Sequence, residues 1–263
     1  MLHIGVDEAG RGPVIGPLVV GCVCVPEEDI KLLAEAGVKD SKDLSKKKRE
    51  EIRTWFFENC KTRGWKYSII SCPPSRIDLA VENKGLNILE TQLFAEAINK
   101  LALTDNNDGF MITNDACDVD ENRFTRRISA LIEQWPWPNS KMVSFHKADE
   151  NYPIVGMASI LAKQHRDHCI TEIENKVGFP IGSGYPSDKK TVDAVHLMIG
   201  DKPHEDLRWS WSTVKRIWAL KHEIELPDRL ISNGNQTTLF LINHSIHQGL
   251  VLGRIDWHGL DSR

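Results

Sequence analysis

Asp7-Glu8-Ala9-Gly10-Arg11-Gly12-Pro13-Val14-Ile15-Gly16-Pro17 is the stretch around which this chain is organised. Ahead of it, Leu2-His3-Ile4-Gly5-Val6 reads as a short buried strand. Behind it, Leu18 to Val25 reads as a second strand, rich in β-branched residues. Two adjacent carboxylates therefore stand where a strand ends and a glycine-rich turn begins. Adjacent acids repel and lose hydration if buried, so a fold keeps them together only at a cost. Solvent exposure would offset that cost, and so would a bound cation. Gly10 and Gly12 bracket Arg11 and bare the backbone, so a ligand can come close to the main-chain N–H groups. An anion-binding turn beside a carboxylate pair suggests a metal held between protein acids and a phosphate.

The totals limit what surrounds that stretch. At 263 residues the chain is long enough for one large domain or for one domain plus a small extension. Its net charge of −4 leaves no global positive field, which weighs against a purely electrostatic nucleic-acid binder. Cys22, Cys24, Cys60, Cys72, Cys117 and Cys169 form no Cys-x-x-Cys pair, which argues against structural zinc. With a strand at its start and no membrane-length apolar run, the sequence leads us to expect neither a signal peptide nor a membrane span. Buried, reduced thiols in a cytoplasmic protein are the expectation.

Further along, Val38 to Ser45 is a polar loop followed by Lys46-Lys47-Lys48-Arg49, with Ser45 suited to cap a helix to about Asn59. Four cations in a first turn oppose the helix dipole. They form either a solvated basic face or the approach of a phosphate backbone. Lys66 to Ser71 is a third strand, closed by Pro73-Pro74, and the three short-linked strands suggest an antiparallel start to a sheet. Leu86, Leu89, Leu93, Ala97, Ile98 and Leu101 mark the apolar face of a core helix. Phe110-Met111-Ile112-Thr113 is a strand that delivers Asn114-Asp115 at its end. A calcium loop fits Asp115 to Asp120 poorly, and Asp120 reads better as the cap of a helix holding Phe124, Ile128 and Leu131.

Met142 to Phe145 is another strand, running into His146-Lys147-Ala148-Asp149. Tyr152-Pro153 opens a long helix in which Gly156, Ser159, Lys163 and Arg166 share one small, basic face. Close helix–sheet packing explains the small residues; the cations beside an acid suggest more than packing. Gly182-Ser183-Gly184-Tyr185-Pro186 is a turn that presents a tyrosine. Two helices follow, near 188–199 and 208–225, the second packing through Trp211, Val214, Ile217 and Trp218. From Leu226 the chain contains Pro227, Asn233-Gly234-Asn235 and then Gln236-Thr237-Thr238-Leu239-Phe240. Residues 1–225 therefore read as one domain and 226–263 as a C-terminal extension.

Gly5-Val6-Asp7-Glu8-Ala9-Gly10-Arg11-Gly12-Pro13 resembles the opening motif of type 2 ribonucleases H, the ribonuclease HII family. The likeness is to its archaeal branch, similar to the eukaryotic catalytic subunit. Val38 to Ser45 resembles the family's Asp-Ser-Lys block, Asp115 to Phe124 its third acidic block, and His146 to Asp149 with Ala158 to Asp167 its fourth. The resemblance runs over roughly residues 1–222 in order. It implies a ribonuclease H-like α/β fold: a mixed five-stranded sheet flanked by helices, with a helical C-terminal part. It makes Asp7, Glu8, Asp115 and Asp149 four acidic ligands for Mg²⁺ or Mn²⁺, since carboxylates suit hard divalent cations. Two ions about 4 Å apart could clamp an in-line displacement at phosphorus.

The implied activity is endonucleolytic hydrolysis of RNA in RNA–DNA hybrids and at ribonucleotides embedded in duplex DNA, leaving 5′ phosphate and 3′ hydroxyl ends. The 2′-OH distinguishes RNA from DNA. Gly10, Arg11 and Gly12 offer backbone groups to read it, and Tyr185 takes the family's role of sensing the neighbouring deoxyribose. Lys39, Lys42, His146, Lys147 and Lys163 would hold phosphates without reading sequence. Rival readings are a noncatalytic nucleic-acid binder on the same fold and another metal-dependent phosphotransfer enzyme. In the extension, Gln236-Thr237-Thr238-Leu239-Phe240 resembles the start of a sliding-clamp peptide, with Gln236, Leu239 and Phe240 as anchors. Ile242 and Asn243 stand where aromatics are usual, and apolar packing on the domain is the competing reading. A monomer acting without a membrane is the expectation.

Overall fold

The computed structural model describes residues 1–38, 44–83, 85–103 and 108–229. Five strands among them form one sheet: β1 (Leu2–Ala9), β2 (Leu18–Pro26), β3 (Lys66–Cys72), β4 (Phe110–Asp115) and β5 (Lys141–Phe145). Their order is β3-β2-β1-β4-β5. The first three pair antiparallel through short connections, while β1–β4 and β4–β5 are parallel. The mixed sheet is the one expected.

β1 does not end at Val6 but pairs on to Ala9, with Asp7 opposite Gly21 and Glu8 opposite Val20. Leu18 to Val25 is long enough to extend the ladder past the acids. Asp7 and Glu8 are therefore strand residues, and alternation sends their side chains to opposite faces.

Each face carries its own helical layer. On the first lie α3 (Pro74–Asn83), α4 (Leu86–Asn99) and α5 (Glu121–Ser129). There Ile4, Val6, Val20 and Ile112 pack with Leu89, Leu93, Phe94 and Phe124. On the second lie α1 (Ile30–Glu35), α2 (Lys46–Arg63) and the long α7 (Pro153–Val177). Val23, Val25, Phe56, Val155, Ala158 and Leu161 form that core. Gly5 and Gly21 let α7 lie flat on the sheet: a Cβ on Gly5 would stand 2.4 Å from the Ile154 carbonyl, and one on Gly21 2.4 Å from the Ala158 oxygen.

A third core lies beyond the strand ends. Val14 and Ile15 pack there with Ile170 and Ile173 of α7, and with α8 (Lys189–Met198) and α9 (Ser212–His222). Ser45, Asp120 and Asp188 cap their helices by accepting from Lys48, Arg123 and Lys190 N–H groups. The prolines expected only to close β3 also begin a helix, because Pro74 suits a first turn. The last helix is shorter than expected: Asp78 accepts from Trp209 N at 2.9 Å and Ser210 N at 3.0 Å, which draws 208–211 inward before α9 starts. No helix among the described residues is long and apolar enough to cross a membrane.

Candidate active site

Asp7 near the end of β1 and Asp115 at the end of β4 lie on neighbouring parallel strands, just beyond the Val6–Asn114 pair. Both belong to the α7 face of the sheet. Glu8 leaves the other face, yet its carboxylate joins them: ligand atoms of Asp7, Glu8 and Asp115 all lie within 4.8 Å of one another. Backbone donors fix two of the three. Glu8 N–H donates to Asp7 Oδ1 at 2.7 Å, and Ala148 N–H donates to Asp115 Oδ1 at 2.7 Å. Ala148 opens the short helix α6 (Ala148–Asn151), whose next residue is Asp149. The bond that seats Asp115 thus also brings Asp149, buried, beside Asp7 and 4.0 Å from Lys163 Nζ.

Burial makes this cluster costly. Desolvation first, then the Glu8 charge, push the Asp7 carboxyl well above the usual carboxylate range, against the hydroxyl of Ser159 on α7. Glu8 is pushed up to about 8, by burial and then by Glu90 and Asp115. Its buried Oε2 has no hydrogen-bond partner among the described residues. All-oxygen, anionic donors that repel one another and include an orphaned buried oxygen suit a hard divalent cation. Asp7, Glu8 and Asp115 would hold it, with Asp149 alongside.

The turn after β1 is braced by Arg208 and Trp211. Arg208, fully buried, donates from Nη2 to Gly10 O at 2.6 Å, from Nη1 to Arg11 O at 2.9 Å and from Nε to Gly16 O at 3.0 Å. Trp211 Nε1 donates to Gly12 O at 3.1 Å. The carbonyls of Gly10, Arg11 and Gly12 are thus engaged from within, which leaves the turn's N–H groups as its offer to a ligand. Arg11 itself pairs with Glu90 of α4 and donates to Asn87 Oδ1 at 2.6 Å. Tyr185 stands at the rim, 38% exposed, its ring 3.5 Å from where a Cβ of Gly12 would be.

The basic residues named from the sequence divide. Lys163 joins the acids through Asp149. His146 is exposed and anchored by its backbone to Glu121 at 2.7 Å, and Lys147 is exposed with Glu150 at 3.8 Å. Lys39, Lys42, Gln236, Leu239 and Phe240 lie outside the described residues. Sequence reasoning missed Glu90, Arg208 and Asn87. A signal existed for Glu90: it is an acid on the apolar stripe of α4, one turn from Leu86 and Phe94. Burial pushes Glu90 up to about 7, against the pull of Arg11.

The ribonuclease HII family model matches residues 4–214. The ribonuclease HII of Methanocella arvoryzae is 44% identical over 219 residues, covering 82% of this chain and 91% of that one. Among solved structures, ribonuclease H2 from Pyrococcus horikoshii superposes with a TM-score of 0.71 at 37% identity, over 82% of this chain and 97% of that one. The PCNA:RNase HII complex from Archaeoglobus fulgidus gives 0.67 at 34%, over 82% and 96%. Fold, acidic cluster and these relatives agree: the chain belongs to the ribonuclease HII family and is a metal-dependent endoribonuclease that cuts RNA paired with DNA.

Proposed function

We propose that Asp7, Glu8, Asp115 and Asp149 hold two Mg²⁺ or Mn²⁺ ions, and that the chain cuts both RNA–DNA hybrids and single ribonucleotides embedded in duplex DNA. The observation that carries this reading is the convergence of three carboxylates within 4.8 Å at the end of β1 and β4, next to a turn whose carbonyls face inward. Bound cations would polarise the scissile phosphate and ease water attack and departure of the 3′ oxygen, leaving a 5′ phosphate.

The protein's own part is placement. Ala148 N–H and Ser159 hold the carboxylates of Asp115 and Asp7 in register. Arg208 fixes Gly10 and Arg11 so that the turn's N–H groups can meet the ribose 2′-OH and its phosphate. Tyr185 packs on the deoxyribose that follows the ribonucleotide. Lys163 holds Asp149 and a phosphate, while His146, Lys147, Lys39 and Lys42 supply positive charge along the duplex without reading sequence. A noncatalytic binder on this fold would have no need of a carboxylate cluster strained by burial.

A sliding clamp is the proposed protein partner, through Gln236, Leu239 and Phe240. The support is the peptide-like sequence and the solved complex of an A. fulgidus relative with PCNA. The six free cysteines are in keeping with a cytoplasmic site of action.

Incubating the full chain with a labelled hybrid and with a duplex carrying one ribonucleotide, with and without Mg²⁺, tests the reading. Metal-dependent cuts on both, with 5′ phosphate ends, are expected. Tight binding of both without cleavage would favour the noncatalytic alternative.

A further inference from the structure

Arg166 of α7 is 7% exposed and lies under both segments that the proposed function assigns to sugar recognition. Its Cδ is 2.8 Å from where a Cβ of Gly10 would stand, so this side chain, with the Pro17 carbonyl, keeps position 10 a glycine. Its guanidinium carbon sits 5.0 Å from the centroid of the Tyr185 ring. Its Nη2 donates to Ser183 O at 2.7 Å, two residues before that ring. On the far side, Asp167 lies 3.7 Å from Arg166 Nη1 and 3.3 Å from Arg49 Nη2 of α2.

This is an expensive place for a cation. Arg208 is a second buried guanidinium close enough to feel its charge, and Arg166 Nε has no hydrogen-bond partner among the described residues. An apolar side chain of similar length would fill the space at lower cost. What only a guanidinium supplies is a flat cationic face beneath an aromatic ring, together with a directed hydrogen bond to the loop that carries the ring. Tyr185 is backed on one side and open at the rim.

We propose that Arg166 is a positioning residue that sets the enzyme's preference for a ribonucleotide followed by a deoxyribonucleotide, by holding the Tyr185 ring against the Gly10-Arg11-Gly12 turn. The inference rests on the reading of Tyr185 as the deoxyribose-sensing group. Arg166 packs against Gly10 and bonds to the loop of Tyr185, so the distance between the reader of the 2′-OH and the reader of the next sugar is set by α7. A long hybrid presents ribose at both places and gains less from that spacing.

The test compares kcat/KM for a duplex with one embedded ribonucleotide and for a long hybrid, in the full chain and in Arg166→Lys, Tyr185→Ala and the double variant, with the Tm of each. Lysine keeps the charge and loses the plane and the fork. The ratio of the two activities should fall about five- to tenfold in Arg166→Lys. It should fall no further when Arg166→Lys is added to Tyr185→Ala. Arg166→Met, which fills the volume without charge, should shift the ratio in the same direction and covers the case in which lysine unfolds the protein. A ratio that moves in Tyr185→Ala but not in either Arg166 variant, or equal losses on both substrates that follow Tm, overturns the inference alone. A ratio unmoved in Tyr185→Ala overturns the Tyr185 reading and the inference with it.

Discussion

Arg208 donates to the carbonyl oxygen of Gly10 at 2.6 Å, across 198 positions of sequence. The same guanidinium also holds Arg11 and Gly16 and lies 4.9 Å from the Trp211 ring centroid. It is a strut between the C-terminal layer and the turn that follows β1. Burial lowers its pKa to about 9, so at neutral pH it remains charged.

Replacing Arg208 with methionine leaves three inward-facing carbonyl oxygens without these donors, at about 1–3 kcal/mol for each acceptor left unsatisfied. A large drop in Tm and at least about tenfold slower cleavage of both substrates are expected. Both substrates suffer because the turn itself moves. Unchanged Tm and cleavage in Arg208→Met would show that the turn holds its shape without the strut.

Gly21→Ala tests how the sheet sets the site from behind. Gly21 pairs with Asp7, and a Cβ there would press on the Ala158 carbonyl, one residue before Ser159. The helix must lift, at about 1–3 kcal/mol. Thermal unfolding should show that loss, and cleavage should fall because Ser159 recedes from Asp7. A variant as stable as the parent would mean that α7 does not lie as closely on β2 as described.

Much of this was legible beforehand, and the reasons are physical. A β-branched run gave β2, and the short runs Phe110 to Thr113 and Met142 to Phe145 gave β4 and β5. The period of Leu86, Leu89 and Leu93 gave α4. The strain of adjacent acids before a glycine turn pointed to Asp7 and Glu8. What stayed hidden depends on partners far apart in sequence. Arg208 stands between Leu207 and Trp209 with no local sign that it reaches Gly10, and Glu90 finds Arg11 79 positions away. The length of β1 was misread because the ladder to β2, not local propensity, carries it through Glu8 to Ala9. Asp149 was legible as an acid just past a strand end; the bond from Ala148 to Asp115 is what places it.

Burial of the acids and their mutual repulsion in the metal-free protein give a pH prediction. The Glu8 carboxyl is raised from 4.5 to about 8 in the folded chain, and Asp7 is raised as well. The folded state therefore binds more protons than the unfolded state between those values, and stability falls as pH rises through that window. Tm measured in EDTA should decline from pH 5.5 to pH 8.5. Adding Mg²⁺ at pH 8.5 should restore part of the loss, and Glu8→Gln should flatten both responses. A Tm in EDTA that rises over this range, or no response to Mg²⁺, would contradict the electrostatic account of the cluster.

The central claim is that the carboxylates of β1 and β4 serve a divalent cation and not the fold. Asp115→Asn keeps the shape and an acceptor for Ala148 N–H but removes the charge. The most direct measurement is Mg²⁺-dependent cleavage of a duplex with one embedded ribonucleotide by this variant, alongside its affinity for the same duplex in EDTA. We expect affinity close to that of the parent and cleavage slower by about a thousandfold or more, since several kcal/mol of charge stabilisation are lost. Cleavage at the parental rate by Asp115→Asn would contradict the assignment of this cluster as the metal-binding active site.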